Sequence, residues 1–543
     1  MVTSTIRSQS TSTKHISVAL ATMAIFFAWG PIAPARGQCN PHELTKVIAS
    51  DAAADDFFGS SVAVSGDTAV VGANGEDDAG SNSGSAYVFV RSGTVWTQQA
   101  KLTASDAAAF DNFGRSVAVS GDTAVVGAYL DDHAGGTDAG SAYVFIRIGA
   151  VWMQQAKLIA SDAAAVDNFG FSVAVSGDTA VVGAILDDHT SLMDVGSAYV
   201  FVRAGTVWTQ QAKLTFASGG VMASDQFGWS VAVSGDTALV GANRFDDIFG
   251  GVNTGAAFVF VRSGIVWTQQ AKLSTEPFFA PAGEFGSSVA ISGDTAVVGA
   301  AATNLPSGNG SGAAYVFTRT GNAWTQQQRL IASDAAFGDA FGNSVTAADD
   351  IAVVGANSND DAGTSSGSAY VFTRSGALWT EKAKLTASDA ASDDFFGGSV
   401  ALSGSTAVVG ARRDDHAGGT NAGSAYVFVL DADTDADGVP DLCDDLCTGT
   451  PAGEMINADG CSCSQLNCED PDPCTVDSCN EGLCSHVFQD SDGDGVCDGN
   501  DACPNNLPGL PVDFTGRPLR DCNGDCLVDG ADIQCIVAEL LAG

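Results

Sequence analysis

Seven copies of one unit run along this chain, each opening on a Phe-Gly pair. The pairs are Phe58-Gly59, Phe113-Gly114, Phe169-Gly170, Phe227-Gly228, Phe285-Gly286, Phe341-Gly342 and Phe396-Gly397, spaced 55 to 58 residues apart. A fixed period of this size marks a supersecondary unit that stacks on its own copies, because one unit alone cannot bury its apolar face. The period therefore restricts the chain to a closed ring or an open array.

Within the second copy, four short apolar runs are separated by turn residues. They are Ser116-Val117-Ala118-Val119, Thr123 to Ala128, Ser141 to Ile146, and Val151 to Leu158, with Ser120-Gly121-Asp122 between the first two. The early runs are apolar on both faces, which predicts strands buried on both sides. The fourth alternates apolar with polar residues and reads as a wetter outer strand. That gradient fits a blade of four antiparallel strands packed between neighbouring blades. The recurring Gly-Ala, as at Gly72-Ala73, Gly127-Ala128 and Gly410-Ala411, places small residues where sheets crowd together.

The ends of the array point to closure. The seventh copy stops at Tyr426-Val427-Phe428-Val429 without its fourth run. The missing run stands at the other end: Thr45-Lys46-Val47-Ile48-Ala49-Ser50-Asp51 aligns with Ala100-Lys101-Leu102-Thr103-Ala104-Ser105-Asp106. An N-terminal strand completing the last blade would close the ring and remove its exposed edges. The expected fold is all-β: a seven-bladed β-propeller closed by an N-terminal strand, plus a small Cys/Asp-rich calcium-binding tail. An open β-solenoid is the competing architecture, but its ends would need caps, and the sequence offers none.

The run Phe113 to Ala128, with Phe-Gly followed by Gly-Ala about 14 residues on, resembles the FG-GAP repeats of integrin α-subunit propellers. It resembles a bacterial FG-GAP variant more closely still, and all seven copies match. The resemblance implies a seven-bladed propeller used in extracellular binding and adhesion. In integrin-type repeats an Asp-rich calcium loop often separates the Phe-Gly from the Gly-Ala. Here that connection is only Ser-Gly-Asp or similar, so calcium is not expected there.

Charge and cysteine divide the chain further. The formal net charge is −41, with 23 Lys plus Arg. Such a surface repels nucleic acid and anionic membrane, whose phosphates need cations. From Asp431 onward the only cationic residues are Arg517 and Arg520. Of 14 cysteines, thirteen lie between Cys443 and Cys535. Arg7 and Lys14 precede an apolar run from Ile16 to Trp29, followed by Ala33-Pro34-Ala35 and Gly37, the pattern of a signal peptide. The run is short for a membrane span. The expected domains are a signal peptide over 1–37, the propeller over 38–430, a calcium- and disulfide-rich region over 431–503, and a linker with a loop-plus-helix segment over 504–543. Export implies a compartment where disulfides persist, and Cys39 would make the count even.

Acidic pairs recur after the Gly-Ala in six copies: Asp77-Asp78, Asp131-Asp132, Asp187-Asp188, Asp246-Asp247, Asp360-Asp361 and Asp414-Asp415. The fifth copy has Ala302-Thr303-Asn304, and His133, His189 and His416 follow three of the pairs. In a ring these loops share one face. Each reads first as a turn in which Asp bonds its own backbone, with cation, cationic-ligand or sugar binding as the alternative. The histidines read as exposed loop residues.

The tail carries three stretches with ligands at calcium-loop spacing. They are Asp433, Asp435, Asp437, Asp441 and Asp444; Asp490, Asp492, Asp494, Asp498 and Asp501; and Asp521, Asn523, Asp525, Asp529 and Asp532. Ca2+ takes six to eight hard oxygens, which alternate positions of a turning loop supply. Position 12 is Asp rather than the longer Glu. The first two stretches, with neighbouring Cys443, Cys447, Cys497 and Cys503, resemble thrombospondin type 3 repeats; a disordered acidic linker is the alternative. The third, followed by Ile533 to Leu541, resembles half a dockerin module and implies a docking partner. Its Cys526 stands where a Gly is usual. Between them, Cys468 to Cys484 read as disulfide partners, with zinc as the competing reading.

No nucleophile elbow, zinc-protease pair or phosphate loop is present, and no enzyme is expected. The main departures from repeat symmetry are the connections Thr215 to Gln226 and Ser274 to Glu284 and the loop Ala301 to Gly312. The expected function is that of an exported calcium-binding adhesion or surface-recognition protein, secreted or held at the cell surface. It would bind an extracellular protein or glycan, with the tail as stalk or attachment. A passive surface or matrix component is the alternative, and a propeller-based hydrolase or lyase a more distant one.

Overall fold

The computed structural model describes residues 41–189, 192–216, 222–246, 253–274 and 283–430, and the backbone of a hairpin formed by Thr475–Asn480 and Leu483–Phe488. The propeller residues form seven four-stranded antiparallel sheets, or blades. Blade one is Phe58–Ser65, Thr68–Ala73, Ser85–Ser92 and Val95–Leu102, from the channel outward. Blades two to six follow in order along the chain. Blade seven takes Phe396–Ser403, Thr406–Ala411 and Ser424–Val429 from one end of the propeller and His42–Val47 from the other. The inferred closure is thus the observed one. No helix among the described residues is long and apolar enough to cross a membrane.

The burial gradient follows the sequence pattern with one correction. The second strand, Thr-Ala-Val-Val-Gly-Ala in most blades, is buried at every position. The outer strand alternates, as expected of a wetter edge. The inner strand is only half-buried, as in Ser116–Ser120, although its apolar run predicted cover on both faces. These strands line the central channel, so one face lacks a neighbouring sheet.

The Phe-Gly pair anchors each blade. Phe58 is fully buried and meets Tyr87 and Phe89 edge-on, with ring centroids 5.5 and 5.9 Å away. The same triplet recurs around Phe113, Phe169, Phe285, Phe341 and Phe396. Burying one such ring stabilises by about 1.5–3 kcal/mol. The Gly-Ala glycine is required by the next blade: a Cβ on Gly72 would overlap the Gly114 carbonyl oxygen and Ser61 Oγ. Each inner-strand serine donates to that neighbouring carbonyl, from Ser61 to Gly114, around the ring to Ser399 and Gly59, at 2.7–2.9 Å. Seven such bonds leave no blade junction without one.

The closing strand copies the internal outer strands. Its pairing slips by one residue between Glu43 and Thr45, as blade one slips between Gln98 and Ala100. Lys46 then occupies the place of Lys101 and Lys157, 2.7 Å from both Asp389 and Asp414.

Candidate functional site

Antiparallel connectivity sends the loops before each inner strand and those between second and third strands to one face. The Ser-Gly-Asp turns and the outer hairpins lie on the opposite face. The acidic pairs therefore share the first face, as the sequence predicted, but they are not equivalent. Asp131, Asp187 and Asp414 sit at a buried position that Glu76 and Asn359 occupy in blades one and six. There Asp131 accepts from Ser141 Oγ at 2.6 Å and Tyr143 Oη at 3.0 Å and pairs with Lys157 at 2.8 Å. Burial raises the Asp187 carboxyl, but hydrogen bonds from His189, Lys213 and Ser197 overcome this and bring it down to about 2.

The following position turns back on its own loop. Asp77, Asp132, Asp188, Asp246, Asn304, Asp360 and Asp415 each accept a backbone N–H five to seven residues on. That is the turn chemistry of Asx residues. Asp78 and Asp361 pair instead with Lys101 and Lys384.

The histidines are half-buried rather than exposed. His133 Nε2 donates to the Gly140 carbonyl while Nδ1 accepts from Gly135 N–H, and His416 does the same with Gly423 and Gly418. Both ring nitrogens are occupied by the loop's own backbone. Leu305 and Gly308 make the same backbone pairing as His133 and Gly136. The loop Ala301 to Gly312 is therefore a regular copy with different side chains, which corrects its reading as an irregularity. The connections Thr215 to Gln226 and Ser274 to Glu284 fall partly outside the described residues.

Calcium does not fit the turn between inner and second strands. It is a tight hairpin, and its Asp is held by arginine: Asp67, Asp122, Asp178, Asp236, Asp294 and Asp350 accept from Arg91, Arg147, Arg203, Arg262, Arg319 and Arg374. Among the described residues no cluster of His, Cys, Asp and Glu could hold a metal ion. The tail positions Asp433 to Asp444, Asp490 to Asp501 and Asp521 to Asp532 lie outside the described residues, as do the signal peptide and the cysteine side chains.

The loop-face end of the central channel breaks the symmetry. A cavity of about 330 Å³ is ringed by the residue after each Phe-Gly: Ser60, Arg115, Phe171, Trp229, Ser287, Asn343 and Gly398. Three large side chains stand on consecutive blades. Arg115 lies over the Phe171 ring at 4.8 Å, and Phe171 packs against Tyr129 at 5.5 Å and Trp229 at 4.9 Å. Arg412 also borders the cavity, and with Arg413 it stacks on Phe395. Desolvation, then the charges of Arg413 and Arg115, pulls the Arg412 guanidinium below its ordinary range. Desolvation does the same to Arg115. No carboxylate pairs with either of these two arginines among the described residues.

The family model for the FG-GAP repeat matches residues 42–89, 96–145, 152–201, 208–260, 267–317, 324–372 and 379–428, more than half of the chain. The chain belongs to the FG-GAP repeat family. Each match begins on an outer strand and ends on a third strand, so the FG-GAP unit is offset by one strand from the blade, and the offset is what closes the ring. Such a propeller fits a surface or recognition-type protein. A comparison with curated proteins finds no significant match.

Sequence reasoning missed the channel residues of this FG-GAP propeller. It sought broken symmetry in loop length, whereas here the symmetry breaks at one position inside an otherwise uniform strand. The variation Ser60, Arg115, Phe171, Trp229, Ser287, Asn343, Gly398 was readable beside the constant Phe-Gly and Ser.

Proposed function

We propose that this FG-GAP protein is exported and acts in adhesion or surface recognition, binding an extracellular protein or glycan through the loop-face end of its propeller. The observation that carries this reading is the contrast on that face. The acidic loops and histidines are hydrogen-bonded within the scaffold, while the channel mouth displays aromatic and cationic side chains that the scaffold leaves open. The extracellular habit of FG-GAP propellers and the signal-peptide pattern over 1–37 support export.

In this reading the tail is a stalk or attachment module. Asp433, Asp435, Asp437, Asp441 and Asp444, with Asp490, Asp492, Asp494, Asp498 and Asp501, would hold Ca2+, and Asp521, Asn523, Asp525, Asp529 and Asp532 a third ion. Calcium would neutralise carboxylates that otherwise repel one another. No catalytic role is assigned.

The test is capture on a glycan array and from cell-surface extract by the immobilised mature protein, with calcium and with chelator. Saturable capture is expected, and loss under chelator would assign calcium a part in it. A protein lacking residues 431–543 that still binds would place recognition in the propeller. No saturable capture under either condition would sink the recognition reading.

A further inference from the structure

We propose that the loop-face mouth of the channel is a binding site for a carboxylated sugar, with Arg115 and Arg412 taking the carboxylate and Trp229 and Phe171 taking the sugar ring. This rests on the recognition reading above and names its ligand class.

In a chain of net charge −41, cations are scarce, and most on the propeller are paired. The third-strand arginines are held by the hairpin aspartates, and Lys46, Lys101, Lys157, Lys213 and Lys384 by the loop carboxylates. Arg115 and Arg412 lie over aromatic rings, at 4.8 and 5.3 Å, and pair with no carboxylate among the described residues. Two like charges held together without a counter-ion are an unfavourable arrangement that an anion relieves. Guanidinium groups bind carboxylates through paired, parallel N–H···O bonds. Phe171 and Phe395 lie against the two guanidinium groups without accepting from their N–H donors as a carboxylate would.

Trp229 and Phe171 are half-buried, and both border the cavity. Flat apolar faces beside directed polar groups are the usual composition of a small-molecule site, and the cavity lies within the ~300–1,000 Å³ such sites span. A sugar ring offers an apolar C–H face to such a surface.

The experiment is saturation-transfer NMR and calorimetry on the full mature chain. The probes are glucuronate and galacturonate, their neutral parents glucose and galactose, and acetate as a bare carboxylate. Uronates are expected to bind at least tenfold more tightly than either the neutral sugars or acetate. Arg412→Gln, at an exposed position that leaves folding intact, should weaken uronate binding about tenfold, and Arg115→Gln should do likewise. Trp229→Ala should cut uronate binding while leaving acetate binding unchanged.

Equal binding of neutral and acidic sugars would overturn the proposal, as would full uronate affinity in a folded Arg115→Gln, Arg412→Gln double variant. Acetate binding as tightly as uronate would reduce the site to an anion site and overturn the sugar assignment. Undiminished capture from cell-surface extract by the double variant would leave the recognition reading standing and sink this one alone.

Discussion

Two junctions of the ring differ from the other five, and they are not alike. Between blades one and six, each outer-strand Trp donates to a Gln of the preceding blade at 2.8–2.9 Å. Each third-strand Arg reaches back to a Thr of the preceding blade at 2.9–3.0 Å. Each first turn also takes a Ser hydroxyl from its predecessor. The junction of blades seven and one keeps the Arg and Ser contacts, through Arg91 to Thr406 and Gly66 to Ser403. It loses only the Trp bond: Leu44 stands in the Gln place, and Trp96 Nε1 is buried without a partner.

The junction of blades six and seven lacks all three contacts. Pro41 and Lys382 replace Trp and Gln, Ala348 replaces Ser, and Leu430, Ile351 and Ser405 replace Arg, Thr and Asp. The last exchange is concerted, because Leu430 is buried and Ile351 packs against the same core. A polar clamp has become an apolar contact with no stranded charge. Where the blade built from both chain ends meets blade six, the junction thus keeps apolar contact and the bonds from Ser344 and Asn343 to the Gly397 and Gly398 carbonyls.

The largest expected effect tests the closing strand. Lys46→Ala leaves the buried Asp414 without its cation, and Lys157→Ala does the same to Asp131. Breaking such a pair costs about 3–5 kcal/mol. Denaturant unfolding should show Lys46→Ala as the more damaging, because it also loosens the one outer strand that no hairpin joins to its blade. Equal losses would mean the seam has no special weakness.

The next effect tests the concerted exchange. Leu430→Arg alone buries an unpaired charge against Ile351 and should cost about 2–3 kcal/mol. Adding Ser405→Asp and Ile351→Thr should rebuild the clamp and recover most of that loss, so a mutant cycle in thermal unfolding should show strong coupling. Additive losses would show that the three positions do not act together.

A smaller effect is shared by most blades and serves as a control for the seam. Asp56, Asp111, Asp167, Asp225 and Asp394 each hold a backbone N–H three residues earlier, and burial raises each to about 6. A carboxyl whose folded pKa is raised binds more protons when folded. Its contribution to stability is fully present below about 4 and is lost as pH rises through 6. Asp187, held at about 2, works the other way and loses its contribution below about 4. Melting temperature should therefore rise from pH 7 to about 5 and fall again below 4. Asp111→Asn should stabilise the protein at pH 7 by about 1 kcal/mol and flatten the upper limb. An unchanged limb would assign the pH dependence to net charge alone.

The smallest effect is Leu44→Gln, which gives Trp96 the acceptor that its counterparts have. The gain should be about 1 kcal/mol in thermal unfolding, and a loss would mean that Leu44 packing outweighs the bond.

Much of the fold was legible because it is periodic. Turn residues, apolar runs and the displaced Thr45-Lys46-Val47 segment are local signals, and their repetition gave the seven blades and the closing strand. The scaffold nature of the acidic turns was legible too, because an Asx turn is a short-range bond. The offset between the acidic pairs was not: Glu76 fills the buried place in blade one, so Asp77-Asp78 lies one position later than Asp131-Asp132. Only the buried bonds of Glu76 with Ser85 and Lys101 distinguish the two positions.

The sequence by itself determined the number of blades, their strand order and the way the ring closes, because each follows from patterns that span one repeat. The tertiary structure alone decided which copies of a repeated position meet across the channel. Arg115, Phe171, Trp229 and Arg412 come from four blades, and no local rule relates them. They form one site because ring closure brings their blades to one channel mouth, and because no carboxylate of the described residues pairs with either arginine.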